Sequence, residues 1–244
     1  MKRATIADIM RGFVPRKHVR SGVHLQPPAE ESFRYSYQPN TWHPHDKIVA
    51  LVGANKRVLD VGCSSGYLAK RFKENGCIVS GIERDPAAAE QARAYCDVIH
   101  LCAAEALPAS TFPQGAFDVI VYADILEHMV DPAYVLRAQR RWLSPHGYAI
   151  VSIPNVAFAG IRLHLLLGRF DYKDFGILDR THLRFYTLKT ARTLLGHGGY
   201  IPKRMDCTGR LAAMLPAQFA ASLCAPGFVF QAAPEDRSET RVSC

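Results

Sequence analysis

From Arg57 to about Trp142 the chain alternates short apolar runs with stretches of helical spacing, the pattern of βαβ units around a parallel sheet. Residues 57–61 read as a buried strand that runs into a glycine-rich turn at 62–66. A helix over 67–75 follows, with Leu68 and Phe72 on one face, and Gly76 closes it as a C-terminal glycine does. Residues 77–83 form a second strand with an acid, Glu83, at its tip. Asp85 and Pro86 then open a helix as N-cap and first helical residue. Residues 98–102 and 117–122 supply strands three and four. Asp131-Pro132 starts a helix to about Trp142, and residues 147–153 make a fifth strand stopped by Pro154-Asn155.

After that the pattern changes. Residues 156–187 mix aromatic, basic and acidic side chains with no clean period, and the spacing then predicts a helix over 188–196, a strand over 200–207, an amphipathic helix over 211–224 and a last strand over 227–233. The expected layout is a basic N-terminal arm (1–34), one α/β domain (35–234) carrying an insertion (156–187) over the active site, and a tail (235–244). An insertion after strand five lies outside the carboxyl ends of the strands, where open α/β sheets bind ligands.

Composition narrows the class. With 244 residues, 48% hydrophobic and 21% charged, the chain buries a real core and is not a disordered segment. No run reaches the roughly 18–20 apolar residues of a membrane span, and Met1 to Asp8 lack the apolar stretch of a secretory leader, so a cytoplasmic location is expected. Seven cysteines without a C-x-x-C suggest neither a disulfide framework nor a thiolate zinc site. The net charge of +8 is concentrated in the arm, where Lys2, Arg3, Arg11, Arg16, Lys17 and Arg20 face only Asp8. Such an arm attracts anions, or is simply a solvated leader. No nucleic-acid module or aromatic stacking set accompanies it, which argues against an RNA or DNA partner.

The turn at 62–66 carries the first chemistry. A dinucleotide fingerprint needs glycines at places now held by Gly62, Ser64 and Tyr67, and Tyr67 blocks the close helix packing of the last one. NAD is therefore disfavoured. Gly62 and Gly66, with Asp60 before them and Glu83 at the tip of strand two, suit a nucleoside with a small amino-acid tail, Glu83 accepting both ribose hydroxyls.

Residues 58–66 (Val-Leu-Asp-Val-Gly-Cys-Ser-Ser-Gly), Gly81-Ile82-Glu83, and residues 117–128 ending in Asp124-Ile125-Leu126-Glu127-His128 resemble the class I S-adenosylmethionine-dependent methyltransferases. Ser152-Ile153-Pro154-Asn155 and residues 168–187 are similar to later motifs of bacterial members found beside glycosyltransferases. The resemblance implies a Rossmann-like, doubly wound seven-stranded sheet, mostly parallel with an antiparallel last strand. It also implies S-adenosylmethionine as cofactor, held by Tyr37, Asp60, Gly62, Ser64, Gly66, Glu83, Arg84, Ala104, Glu105, Ala123 and Asp124. Two departures stand out. Ser64 replaces a glycine, which a serine tolerates while its φ stays negative, and Ala103 replaces an acid that Glu105 is expected to supply.

Transfer to a hydroxyl calls for a base, and His128 is the first choice with His182 second. The acid-x-x-Glu-His spacing of Asp124, Glu127 and His128, joined by His182, also resembles the divalent-metal site of ubiquinone-biosynthesis O-methyltransferases and plant small-RNA 2′-O-methyltransferases, where magnesium would hold a substrate hydroxyl. The base is preferred, Asp124 being short for a ligand. Asn155, Arg180, Arg184 and Tyr186 are expected to face the acceptor, the arginines holding a phosphate or carboxylate. Alternatively, Asp179 and Arg184 pin the insertion to the sheet. The function expected is O-methylation of a sugar, nucleotide-sugar or small biosynthetic intermediate. N- or C-methylation of a small natural product, RNA methylation, and cofactor binding without turnover are the alternatives.

Overall fold

The computed structural model describes Tyr37, residues 43–210, Ala212 and residues 222–235. The basic arm, nearly all of the tail and most of the helix expected over 211–224 lie outside the described residues.

Seven strands form one sheet: β1 (Arg57–Val61), β2 (Ile78–Glu83), β3 (Val98–Leu101), β4 (Phe117–Ala123), β5 (Leu143–Pro154), β6 (Tyr200–Cys207) and β7 (Gly227–Pro234). Their order is β3-β2-β1-β4-β5-β7-β6. Pairings from β3 through β5 are parallel, whereas β7 runs antiparallel to both β5 and β6. The helices are α1 (Pro44–Val52), α2 (Tyr67–Glu74), α3 (Pro86–Ala92), α4 (Pro132–Gln139), α5 (Ala159–Leu166) and α6 (Leu188–His197).

The strands read as continuous apolar runs because both faces of the sheet are covered. Leu59, Ile120 and Tyr122 pack with Trp142 and Phe228 on one face, while Val58, Val119 and Val121 pack with Phe72 and Ile48 on the other. Local signals set the helix ends. Asp85 accepts from Ala87 N–H and Asp131 from Tyr134 N–H at the starts of α3 and α4. At the end of α2, Gly76 (φ 75°) donates to Lys73 O and Cys77 to Phe72 O, the two bonds of a Schellman cap.

The chain passes from β3 across the sheet to β4, so β1 and β4 lie side by side with their following loops diverging. That switch point is where a doubly wound sheet holds its ligand. Two expectations about elements change. The fifth strand starts at Leu143, with a register shift between Phe117 and Val119, and the preceding helix tightens into a 3-10 turn over Arg140–Trp142. The insertion contains a helix, α5, on which only Ile161 is fully buried; with little of it packed inward, no helical period is written into its sequence.

Candidate active site

Three residues of the turn after β1 take left-handed backbone: Gly62 (φ 73°), Ser64 (φ 51°) and Gly66 (φ 79°). A Cβ on Gly66 would stand 3.0 Å from Ala92 Cα, so only glycine lets α2 approach α3 here. Ser64 does not keep the negative φ expected of it. The alternating left-handed turn demands the same conformation at its middle position, and the serine bears the strain. Its N–H donates to Glu83 Oε2 at 2.8 Å, while Glu83 Oε1 accepts from the N–H groups of Arg84 (2.8 Å) and Asp85 (2.9 Å). Glu83 thus stands over the turn, and Arg84 contributes backbone there while its side chain is exposed. Beneath lies Asp60, 1% exposed, with neither carboxylate oxygen hydrogen-bonded. Burial, and secondarily the charge of Glu83, pushes its pKa up to about 7. Two carboxylates at one turn, one of them orphaned, fit a cofactor that is itself a cation bearing a ribose.

The remaining cofactor positions divide. Ala123 ends β4, and Asp124 follows with φ 47°, its N–H donating to Ser152 Oγ at 2.9 Å. Ala104 and half-buried Glu105 form a 3-10 turn after β3, fixed where Gln139 Nε2 donates to Ala104 O at 3.3 Å. The Tyr37 hydroxyl donates to Asp46, and its ring lies under the Arg71 guanidinium at 5.0 Å. That bond commits the hydroxyl to a protein carboxylate rather than leaving it for the cofactor's.

Beyond β4 the chain makes a 3-10 turn, Leu126–His128. It carries Glu127 and His128 to the edge of the insertion, where Leu183 and Arg184 both donate backbone N–H to Glu127 O, at 2.9 and 3.1 Å. One ligand atom from each of Glu127, His128 and His182 lies within 4.8 Å of the other two. Asp124 does not join this group. The one-face spacing expected of a helical turn fails because the 3-10 turn begins only after it, at Leu126. Glu127 is 1% exposed with both carboxylate oxygens unpartnered, and His182 Nε2 stands 3.8 Å from Oε1. Burial, reinforced by the charges of Asp124 and Asp179, holds the Glu127 carboxyl well above its ordinary pKa. Burial likewise pushes the pKa of both imidazoles down, which favours their neutral form. The two rings meet edge to face with centroids 4.7 Å apart.

A family model described as a methyltransferase domain matches residues 37–200. The chain belongs to the methyltransferase domain family. Among curated relatives, a ubiquinone biosynthesis O-methyltransferase of Pseudomonas aeruginosa (strain LESB58) is 35% identical over 112 residues, covering 42% of this chain and 46% of the relative. One of Pseudomonas entomophila is 37% identical over 146 residues, covering 53% and 61%. The chain thus spans about half the length of the curated relatives it matches. A SAM-dependent methyltransferase from Archaeoglobus fulgidus shares the fold, with a TM-score of 0.58 at 14% identity over 77% of this chain and 93% of that one. By family this is a methyltransferase domain, and its seven-stranded sheet with the antiparallel β7 is the class I fold expected.

In this methyltransferase the four residues expected to face the acceptor do otherwise, or more. Asn155 is 0% exposed, and its Nδ2 donates to Ser222 O (2.6 Å) and Ala225 O (2.8 Å) while Oδ1 accepts from Ala157 N–H (3.0 Å). With its amide fully engaged it is a structural clasp, not an acceptor contact. Arg180 pairs with Asp174 at 2.7 Å on the surface, and the Arg184 guanidinium donates to Val130 O. Tyr186 does line a small cleft, with Glu127, Pro154, Val156, Ile177, His182, Arg184 and Phe185. Asp179 pairs with Thr181 rather than Arg184. Sequence reasoning missed Thr181 altogether, although Asp-x-Thr is the spacing at which an aspartate accepts the N–H two residues on.

Proposed function

We propose that this methyltransferase transfers a methyl group from S-adenosylmethionine to a hydroxyl of a small acceptor, and that Glu127, His128 and His182 receive that hydroxyl. One observation carries this reading: a fully buried carboxylate with no hydrogen-bond partner, facing two neutral imidazoles at the edge of the switch point. Burying an unpaired carboxylate is costly, and a group that persists so is one whose partner arrives with ligand.

One carboxylate and two imidazoles fit a divalent ion. When bound, it would hold the acceptor hydroxyl and lower its pKa. Two nitrogen donors suit a first-row ion such as Mn²⁺ better than the all-oxygen shell that magnesium prefers. Three ligands without Asp124 leave positions for substrate. The second reading, His128 or His182 as a plain base, is favoured by the same lowered pKa values, because a neutral imidazole accepts a proton at pH 7.

Around Glu127 and His182 stand Pro154, Val156, Ile177, Phe185 and Tyr186, an apolar and aromatic surround that favours an acceptor with a hydroxylated ring over a wholly polar one. The relatives' name, ubiquinone biosynthesis O-methyltransferase, supports the same acceptor class. A sugar, implied by the likeness to methyltransferases found beside glycosyltransferases, is the second class, and Arg184 is the one arginine or lysine among the described residues that line the cleft. The six described cysteines are free thiols, in keeping with a cytoplasmic enzyme.

The test is turnover of S-adenosylmethionine with catechol-type and sugar acceptors, with and without EDTA. Loss of activity on chelation, restored by Mn²⁺ and abolished by Glu127→Ala, is the expected result. Chelator-resistant activity that falls about 10²–10⁴-fold in His128→Ala would establish the plain base instead.

A further inference from the structure

Behind His128 stands a second pair of residues. Asp179 is 1% exposed, and its Oδ1 accepts from the Thr181 N–H at 2.8 Å and the Thr181 hydroxyl at 2.7 Å. The same hydroxyl oxygen lies 3.1 Å from His128 Nδ1, and the Thr181 carbonyl oxygen lies 3.2 Å from that nitrogen.

The proton count fixes the roles. A threonine hydroxyl has one hydrogen, and here it is donated to Asp179 Oδ1. Toward His128 the hydroxyl oxygen therefore presents a lone pair, and a carbonyl oxygen presents nothing else. Two acceptors facing Nδ1 require the hydrogen there, leaving Nε2 bare. His182 is set in the same sense by a different route, its Nδ1 lying 3.1 Å from Ile177 O.

We propose that Asp179 and Thr181 are positioning residues that hold His128 in the Nδ1–H tautomer, so that its Nε2 lone pair is presented beside Glu127 and His182. This rests on the three-residue site proposed above, and it adds a specific dependence. The site needs the tautomer, the Thr181 hydroxyl reinforces the choice that the Thr181 carbonyl makes, and the orientation of that hydroxyl is set by a carboxylate three residues before His182. Groups that orient a ligating or basic imidazole in this way commonly change its affinity 10–100-fold when removed.

Thr181 is exposed, so Thr181→Val removes the hydroxyl without disturbing the core, whereas Asp179→Ala frees the hydroxyl proton to turn toward His128. The experiment uses the whole chain, labelled with ¹⁵N-histidine and free of metal, and reads the His128 ring nitrogens by NMR. The wild type and Thr181→Ser should show a bare Nε2; Thr181→Val, which keeps only the carbonyl acceptor, should show a smaller Nδ1–H fraction, and Asp179→Ala a further shift toward the Nε2–H form. Calorimetry with Mn²⁺ should give binding at least tenfold weaker in Thr181→Val and near wild type in Thr181→Ser. An Nε2–H tautomer in the wild type, or an unchanged tautomer in Thr181→Val, would overturn the proposal. If the wild type takes up no Mn²⁺, the metal reading fails, and the tautomer comparison still decides whether Asp179 and Thr181 position His128.

Discussion

Asp60 and Ser64 show what single residues give up to build a cofactor turn. In the cofactor-free protein Asp60 has a pKa raised to about 7, so the fold binds its proton more tightly than the unfolded chain does. By linkage this contribution to the fold is fully present below the ordinary aspartate range, declines from about pH 4 and is lost as pH rises through about 7. Asp60→Asn should therefore raise the melting temperature at pH 8, where the native carboxylate costs up to about 4 kcal/mol of stability, and do little at pH 4 or below. The same variant should weaken S-adenosylmethionine binding in calorimetry. A melting temperature unaffected at both pH values would show that Asp60 is not held in its neutral form. Ser64, in left-handed backbone at φ 51°, gives the opposite kind of test. Ser64→Gly relieves strain and should stabilise the protein by about 0.5–1 kcal/mol in urea melts.

At the scale of elements, the insertion is tied to the sheet rather than hung from it. Asn155 and Tyr186 form a parallel bridge, Val156 N–H donates to Tyr186 O, and the Asn155 amide clasps residues 222 and 225. Asn155→Ala removes both bonds of the clasp, including the one to the buried Ala225 carbonyl, and should cost roughly 1–3 kcal/mol of stability. A purely raised KM with an unchanged denaturation midpoint would return Asn155 to the acceptor site. The legibility of the chain follows the same division. Strands β1 to β5, the α3 and α4 caps and the Gly76 cap were readable because each has a local cause: an apolar run covered on both faces, an aspartate before proline, a glycine with positive φ. Helix α5 and the partners of Asn155, Arg180 and Arg184 were not, because they depend on segments distant in sequence meeting in space. Glu127, His128 and His182 were named together from a motif, but Asp124 stands outside the group because the turn starts at Leu126, a boundary that spacing alone does not reveal.

For the whole molecule, the position of β7 governs how the chain reaches its final form. The last described strand sits between β5 and β6, so two neighbours made earlier must wait for it. Until residues 227–234 leave the ribosome, β5 has an open edge carrying unpaired backbone groups, and β6 has no partner in the sheet. The fold thus closes late, through contacts between residues far apart in sequence, which slows folding and prolongs exposure to proteases and aggregation. A nascent chain arrested at residue 225 should be cleaved readily by a pulse of protease, whereas one released past residue 235 should resist. Resistance in the shorter chain would mean that β1 to β5 form a stable unit by themselves and that β6 and β7 are an addition to a sheet already complete.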